Sequence, residues 1–302
     1  MASRESGYLR DLYKSWADRL AASPEADIAT VRDIFEEWHL PTREPEGVTY
    51  AEVDAGGTPA IWCIPGGCAS DRVLLYNHGG GCVVGSMYSH RKLAGHLAKA
   101  TGARALVLDY RRAPEHPFPS QIEENVAVYR WLLDQGIRPE HIATVGDSAG
   151  GNLSITVVLK LRQLGQPLPA AIVPLSPYLD MELSGETMDS RAATDALVSR
   201  PLAEQMVGLY IADASPVDPL ANPLHADLSG LPPAYVEAGD DEMLLDDAVR
   251  FAQLAEKAGV DVTLNVEPGM QHVFQCLAGR APEADRAVAA IGAWLRPKLG
   301  LG

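Results

Sequence analysis

The stretch Ile142-Ala143-Thr144-Val145-Gly146-Asp147-Ser148-Ala149-Gly150-Gly151-Asn152 decides the fold. A short β-prone run meets a G-x-S-x-G turn, and residues 149–164 read on as a helix. In that strand–turn–helix setting the glycines have a steric reason, since side chains at 146 and 150 would strike the neighbouring strand and helix. The tight turn lifts the Ser148 hydroxyl off the sheet. It also sets the hydroxyl beside a helix N-terminus, where amide N–H groups and the dipole favour developing negative charge. Ser148 is therefore the candidate nucleophile rather than a plain N-cap.

Working outward, apolar runs alternate with helical stretches. Run 73–76 precedes a helix candidate over 88–100, 105–108 one over 119–135, 234–236 one over 245–258, and 260–266 one over 282–297. Another run lies at 171–173. This rhythm predicts an α/β fold, a mostly parallel sheet with helices on both faces, whose ligands sit at the carboxyl ends of the strands. Ahead of it, 48–53 and 58–64 alternate as strands about a Gly56-Gly57 turn. The first forty residues read as two helices. Tyr8, Leu9, Leu12, Trp16 and Leu20 mark one; Ile28, Val31, Ile34, Phe35 and Trp38, behind Pro24 and Asp27, mark the other. The expected organisation is an arm over 1–45 and a catalytic domain over 46–302. The insert 177–230, which breaks the rhythm, joins the arm in a helical cap over the strand ends.

Composition narrows the class. The 302 residues are 47% hydrophobic and 22% charged, the mix of a globular chain. Twenty-five basic residues against 40 acidic give −15, which disfavours nucleic acid and anionic membrane as partners. Four cysteines are too few for a disulfide scaffold, and none has zinc-site spacing, so no metal is expected. The first twenty residues carry charges throughout and lack a signal peptide's apolar core. No run approaches a membrane span. A cytoplasmic location is the expectation.

An elbow serine needs oxyanion donors, a base and an acid. His78-Gly79-Gly80-Gly81 follows run 73–76, and bare glycine amides at Gly80 and Gly81, with that of Ala149, make a three-donor hole. His272 lies in Pro268-Gly269-Met270-Gln271-His272-Val273-Phe274, a strand-end loop late in the chain, where the order Ser, acid, His requires the base. The acid comes from Asp240, Asp241 or Glu242 in the turn after run 234–236. Spacing alone does not choose among the three.

Taken together, these residues resemble the hormone-sensitive-lipase-like (family IV) bacterial carboxylesterases of the α/β-hydrolase fold. The match runs over most of 70–298. It rests on His78–Gly81, the run Asp109-Tyr110-Arg111-Arg112-Ala113-Pro114-Glu115-His116-Pro117-Phe118-Pro119, Gly146–Asn152, Asp218-Pro219-Leu220 and His272–Phe274. The resemblance implies hydrolysis of short-acyl carboxylic esters, a small-molecule substrate, a cap built largely from N-terminal helices and no cofactor. The family's acid motif usually reads Asp-Pro-Leu-x-Asp. Aligning it on Leu244-Leu245-Asp246 puts Glu242 at the acid position, a departure from the usual Asp. Either carboxylate can orient an imidazole.

Further expectations follow. Asp109, Arg111 and Glu115 form a buried cluster beside the elbow, and Asp147 and Asn152 bond local backbone. Cys82 is a small buried hydrophobe. Two copies pair through run 260–266, since an open sheet leaves an edge. The acidic surface disfavours anionic esters. An amidase or acyltransferase would share this triad. A non-catalytic receptor on the same fold, as in plants' gibberellin receptors, lacks the histidine present here.

Overall fold

The computed structural model describes residues 2–23 and 25–302; Met1 and Pro24 lie outside them. Eight strands form one sheet in the order β1-β2-β4-β3-β5-β6-β7-β8. They are β1 Val48–Asp54, β2 Pro59–Pro65, β3 Val73–Asn77, β4 Arg104–Leu108, β5 Ile142–Asp147, β6 Ala171–Leu175, β7 Ala234–Gly239 and β8 Val262–Glu267. Only β2 runs against its neighbours; β4, β3, β5, β6, β7 and β8 pair in parallel. The central strands β3, β5, β6 and β7 are buried along their whole length, which is why they read as unbroken apolar runs rather than alternations. At the edge, β8 is half-exposed. It starts at Val262 rather than at residue 260, because Val260 is buried in the turn that Gly259 opens at φ 85°.

The helices are α1 Gly7–Ala22, α2 Ile28–Glu36, α3 Met87–Thr101, α4 Ser120–Asp134, α5 Ala149–Gln163, α6 Thr187–Ser190, α7 Arg200–Ile211, α8 Leu245–Lys257 and α9 Pro282–Lys298. On one face α3 packs against β2, β4 and α9; on the other α5 packs against β5, β6 and α4, and α8 covers β7 and β8. The expected architecture is the observed one.

Two segments stand over the carboxyl ends of the strands. In the N-terminal arm, α1 and α2 meet through an aromatic cluster of Tyr13, Trp16, Phe35 and Trp38, with ring centroids 5.3–6.2 Å apart. Asp27 caps α2 by accepting the Thr30 amide at 2.8 Å. The insert contributes α6, α7 and their loops. Arg32 on α2 fastens the arm to the body, donating to the carbonyls of Val83 and Ala113, both at 2.9 Å, and pairing with Glu115 at 2.6 Å.

Candidate active site

Ser148 stands where β5 gives way to α5, at φ 54° and ψ −121°. A non-glycine residue with positive φ costs of order 1–3 kcal/mol and persists only where its surroundings impose it. Here the surroundings are explicit. Its amide donates to Leu175 O at 2.9 Å and its carbonyl accepts the Tyr178 amide at 3.0 Å. Gly150 lies so close to Asn77 and His78 of the adjoining strand end that any Cβ would collide with their carbonyl oxygens. Cys82, Ser176 and Val273, all beside the site, share the positive φ.

His272 and Glu242 reach the same place from β8 and β7. His272 Nδ1 lies 2.6 Å from Glu242 Oε2, and both side chains are fully buried. Ser176 Oγ donates to Glu242 Oε1 at 3.0 Å, and the Gly239 amide donates to that same oxygen. The other two carboxylates of the turn face outward: Asp240 pairs with Arg191 at 2.6 Å and Asp241 with Arg10 at 2.7 Å. Burial alone would push the His272 ring down, but the hydrogen bond and charge of Glu242 outweigh it. Asp195 and Asp147 add, and the ring is held above the ordinary imidazole range.

Ser148, His272, Gly80 and Gly81 share the wall of one cavity of about 50 Å³. Its remaining lining is apolar. Phe35 and Trp38 come from the arm; Leu197, Leu202 and Met206 come from the insert. Among the described residues, the amides of Gly80, Gly81 and Ala149 find no backbone acceptor; Gly80 and Gly81 line this cavity, and Ala149 lines a smaller void beside it. Gly80 holds φ 107° against the Val84 carbonyl, a conformation and a closeness that only glycine permits. The loop is locked from behind. The His78 ring stacks on Tyr110 with centroids 4.1 Å apart, and Tyr110 donates its hydroxyl to His78 O at 2.6 Å. Burial, with His90 adding, pushes His78 down to about 3, so the ring is neutral.

Several expectations need correction. Asp109, Arg111 and Glu115 form no buried cluster. Arg111 is exposed and pairs with Glu124, Glu115 is exposed and pairs with Arg32, and Asp109 accepts the Met87 amide at 3.3 Å. Past β4 the chain loses regular structure over 109–112 and turns over 113–115, which sends the three side chains to different partners. Asp147 does not bond local backbone either. Its carboxylate accepts the Tyr76 hydroxyl at 2.6 Å and lies 3.2 Å from His90 Nε2. Burial would raise its pKa, but His90 and Tyr76 outweigh that and lower it. Asn152 does bond backbone, but at distant Tyr178 O (3.1 Å) and Ala221 O (2.7 Å). Cys82 is buried and its thiol is pushed up to about 12 by that burial, as a small hydrophobe's would be.

Sequence reading missed three residues. Tyr13 on α1 donates its hydroxyl to His272 O at 2.8 Å. Asp195 in the insert accepts the amides of Leu197, Val198 and Met243 at 2.8–2.9 Å, joining the insert to the turn that carries Glu242. His90 holds Asp147. All three act across more than forty residues of sequence, so no local motif announces them. No three His, Cys, Asp or Glu side chains gather where a metal ion could be held, among the described residues.

The chain is similar to known hydrolases over most of its length. The family described as alpha/beta hydrolase fold matches residues 74–276. An acetyl-hydrolase of Streptomyces hygroscopicus is 39% identical over 298 residues, covering 93% of this chain and 99% of that one. An esterase of Acinetobacter venetianus is 39% identical over 224 residues, 74% of each chain. The crystal structure of an esterase from the bacterial hormone-sensitive lipase family superposes with a TM-score of 0.94 at 42% identity, covering 99% of this chain and all of that one.

Proposed function

The chain belongs to the alpha/beta hydrolase fold family, among its bacterial hormone-sensitive-lipase-like esterases, and from this premise we propose a serine carboxylesterase acting on short-acyl esters. Ser148 is the nucleophile, His272 the base and Glu242 the acid that orients it. The amides of Gly80, Gly81 and Ala149 form the oxyanion hole. One observation carries the reading: a strained serine opens onto the cavity that His272 lines, and a buried Glu242 lies 2.6 Å from that ring.

The chemistry follows from these positions. Neutral His272 takes the proton of Ser148 as Oγ attacks the ester carbonyl. The carbonyl oxygen becomes an oxyanion among the three amides, each worth about 2.7–4 kcal/mol to the transition state in comparable sites. Glu242 stabilises the imidazolium and fixes its tautomer. The ring then protonates the departing alcohol, and water repeats the sequence on the acyl-enzyme. The cavity's apolar lining favours an uncharged ester, as the acidic surface does.

In this reading residues 1–45 and 177–230 are a cap over a catalytic domain spanning 46–302. No helix among the described residues is long and apolar enough to cross a membrane. The four cysteines are free, which suits the reducing cytoplasm we propose as its location. Pairing of two copies along the half-exposed edge strand β8 is also part of the proposal. Sedimentation at micromolar concentration would return a monomer if it is wrong.

The decisive test is Ser148→Ala with p-nitrophenyl butyrate. Hydrolysis should fall to traces in a variant that keeps the wild-type melting temperature to within a few degrees. Retained turnover would remove Ser148 from the mechanism.

A further inference from the structure

We propose that Met206 sets the acyl length this protein accepts, by closing a second void that lies behind the oxyanion loop. The inference rests on the ester hydrolysis assigned to Ser148. When Ser148 Oγ bonds the carbonyl carbon, three other groups diverge from that carbon. The oxyanion points at the amides of Gly80, Gly81 and Ala149. The leaving oxygen must lie within reach of His272, which protonates it. The acyl chain takes the remaining direction, away from His272.

A void of about 10 Å³, the space of a single water, adjoins the main cavity away from His272. It borders Gly81, Cys82 and Ala149 on the oxyanion side and touches neither Ser148 nor His272. Three residues belong to both its wall and that of the main cavity: Gly81, Tyr178 and Met206. Gly81 brings no side chain. Tyr178 is pinned at three points, its amide on Ser148 O at 3.0 Å, its carbonyl on Asn152 Nδ2 at 3.1 Å and its hydroxyl on Ala203 O at 2.9 Å. That leaves Met206 as the partition. Its unbranched thioether, which packs by dispersion alone, lies against the oxyanion loop. A Cβ added at Gly81 would sit 3.0 Å from Met206 Cβ, Cγ and Sδ.

Acetyl to butyryl chains stop at this partition, and longer ones meet the thioether. The lining of the void that the main cavity does not share includes Tyr210 and Asn152, whose Oη and Oδ1 are buried and without a partner among the described residues. Removing the partition therefore adds room for a few methylenes that ends on a polar floor, not a tunnel for long chains.

The experiment measures kcat/KM for p-nitrophenyl acetate, butyrate, hexanoate and decanoate. In Met206→Ala the hexanoate-to-acetate ratio should rise about tenfold, the effect of burying two further methylenes, while decanoate stays a poor substrate. Met206→Leu, which keeps the volume, should keep the wild-type profile. Met206→Phe should suppress butyrate relative to acetate, which guards against an alanine variant that merely loosens α7. An unchanged acyl profile in both the alanine and phenylalanine variants overturns the assignment. A wild-type protein that cleaves none of these esters overturns the esterase reading itself, so the two failures are distinguishable.

Discussion

At Glu242 the deciding quantity is burial. Three carboxylates follow one another at 240–242, and two of them find arginines at the surface. The third turns inward, where a charge survives only with partners, and finds His272, Ser176 and the Gly239 amide. Glu242→Gln should lower kcat/KM by about 10³–10⁴-fold, as loss of the orienting carboxylate does in a serine triad. It should also move the pH profile. The active base is neutral His272, so activity appears as pH rises through its pKa. With Glu242 gone, burial is the leading influence on the ring and pushes its pKa down. The rising limb of kcat/KM should thus shift to lower pH in the residual activity. Asp241→Asn removes the pair with Arg10, worth about 0–1 kcal/mol, alters the acceptor of a long 3.5 Å contact from Gln271, and should leave the profile in place. The reverse pattern would make Asp241 the acid.

At the scale of elements, the β5–α5 elbow and the arm obey different rules. The elbow is a local necessity: a serine held at positive φ between two glycines is legible in eleven residues, because the steric demand is local. Gly150→Ala should destabilise the protein by about 1–3 kcal/mol or prevent folding, since its methyl would overlap the Asn77 and His78 carbonyls. A variant with the wild-type melting temperature would contradict the crowding described. The arm is held by packing at long range. Trp16 is fully buried among Tyr13, Phe35 and Trp38, and Trp16→Ala should cost about 3–5 kcal/mol. Phe35 and Trp38 also line the cavity, whereas Ser148, His272 and Glu242 rest on the sheet. The variant should therefore raise KM for p-nitrophenyl butyrate more than it lowers kcat. Equal loss in both would mean that the arm does not shape the substrate's site.

The molecule as a whole carries a buried acid outside the site. Glu237 on β7 is fully buried, and burial raises its pKa from 4.5 to about 7, although Asn265 donates to it at 2.6 Å. Its neutral form is the one the fold prefers. The unfolded chain ionises above about pH 4.5 and the folded one not until about 7, so the folded state binds more protons in between. This contribution to stability is complete below pH 4.5 and is lost as pH rises towards 7. Melting of the wild type and of Glu237→Gln at pH 5 and pH 8 should show the wild type losing on the order of 2 kcal/mol more than the variant across that span. A constant difference between the two would show that Glu237 titrates normally. The molecular scale also explains which expectations failed. Asp109, Arg111, Glu115 and Asp147 were all legible as polar residues near the elbow, but their partners Met87, Glu124, Arg32 and His90 come from other elements.

The sequence by itself determined the strands, the elbow serine, the glycine-rich donor loop and the late histidine. Each depends on steric and hydrophobic demands that act over a few residues, and the chain order of Ser, acid and His carries the rest. Only the tertiary structure decided that Glu242 rather than Asp240 or Asp241 faces the imidazole, that Tyr13 and Asp195 brace the turns on either side of it, and that Met206 lines both the main cavity and the void beside it. Those outcomes rest on the direction of side chains and on contacts between segments distant along the chain. Local pattern does not encode direction; close packing of the whole molecule imposes it.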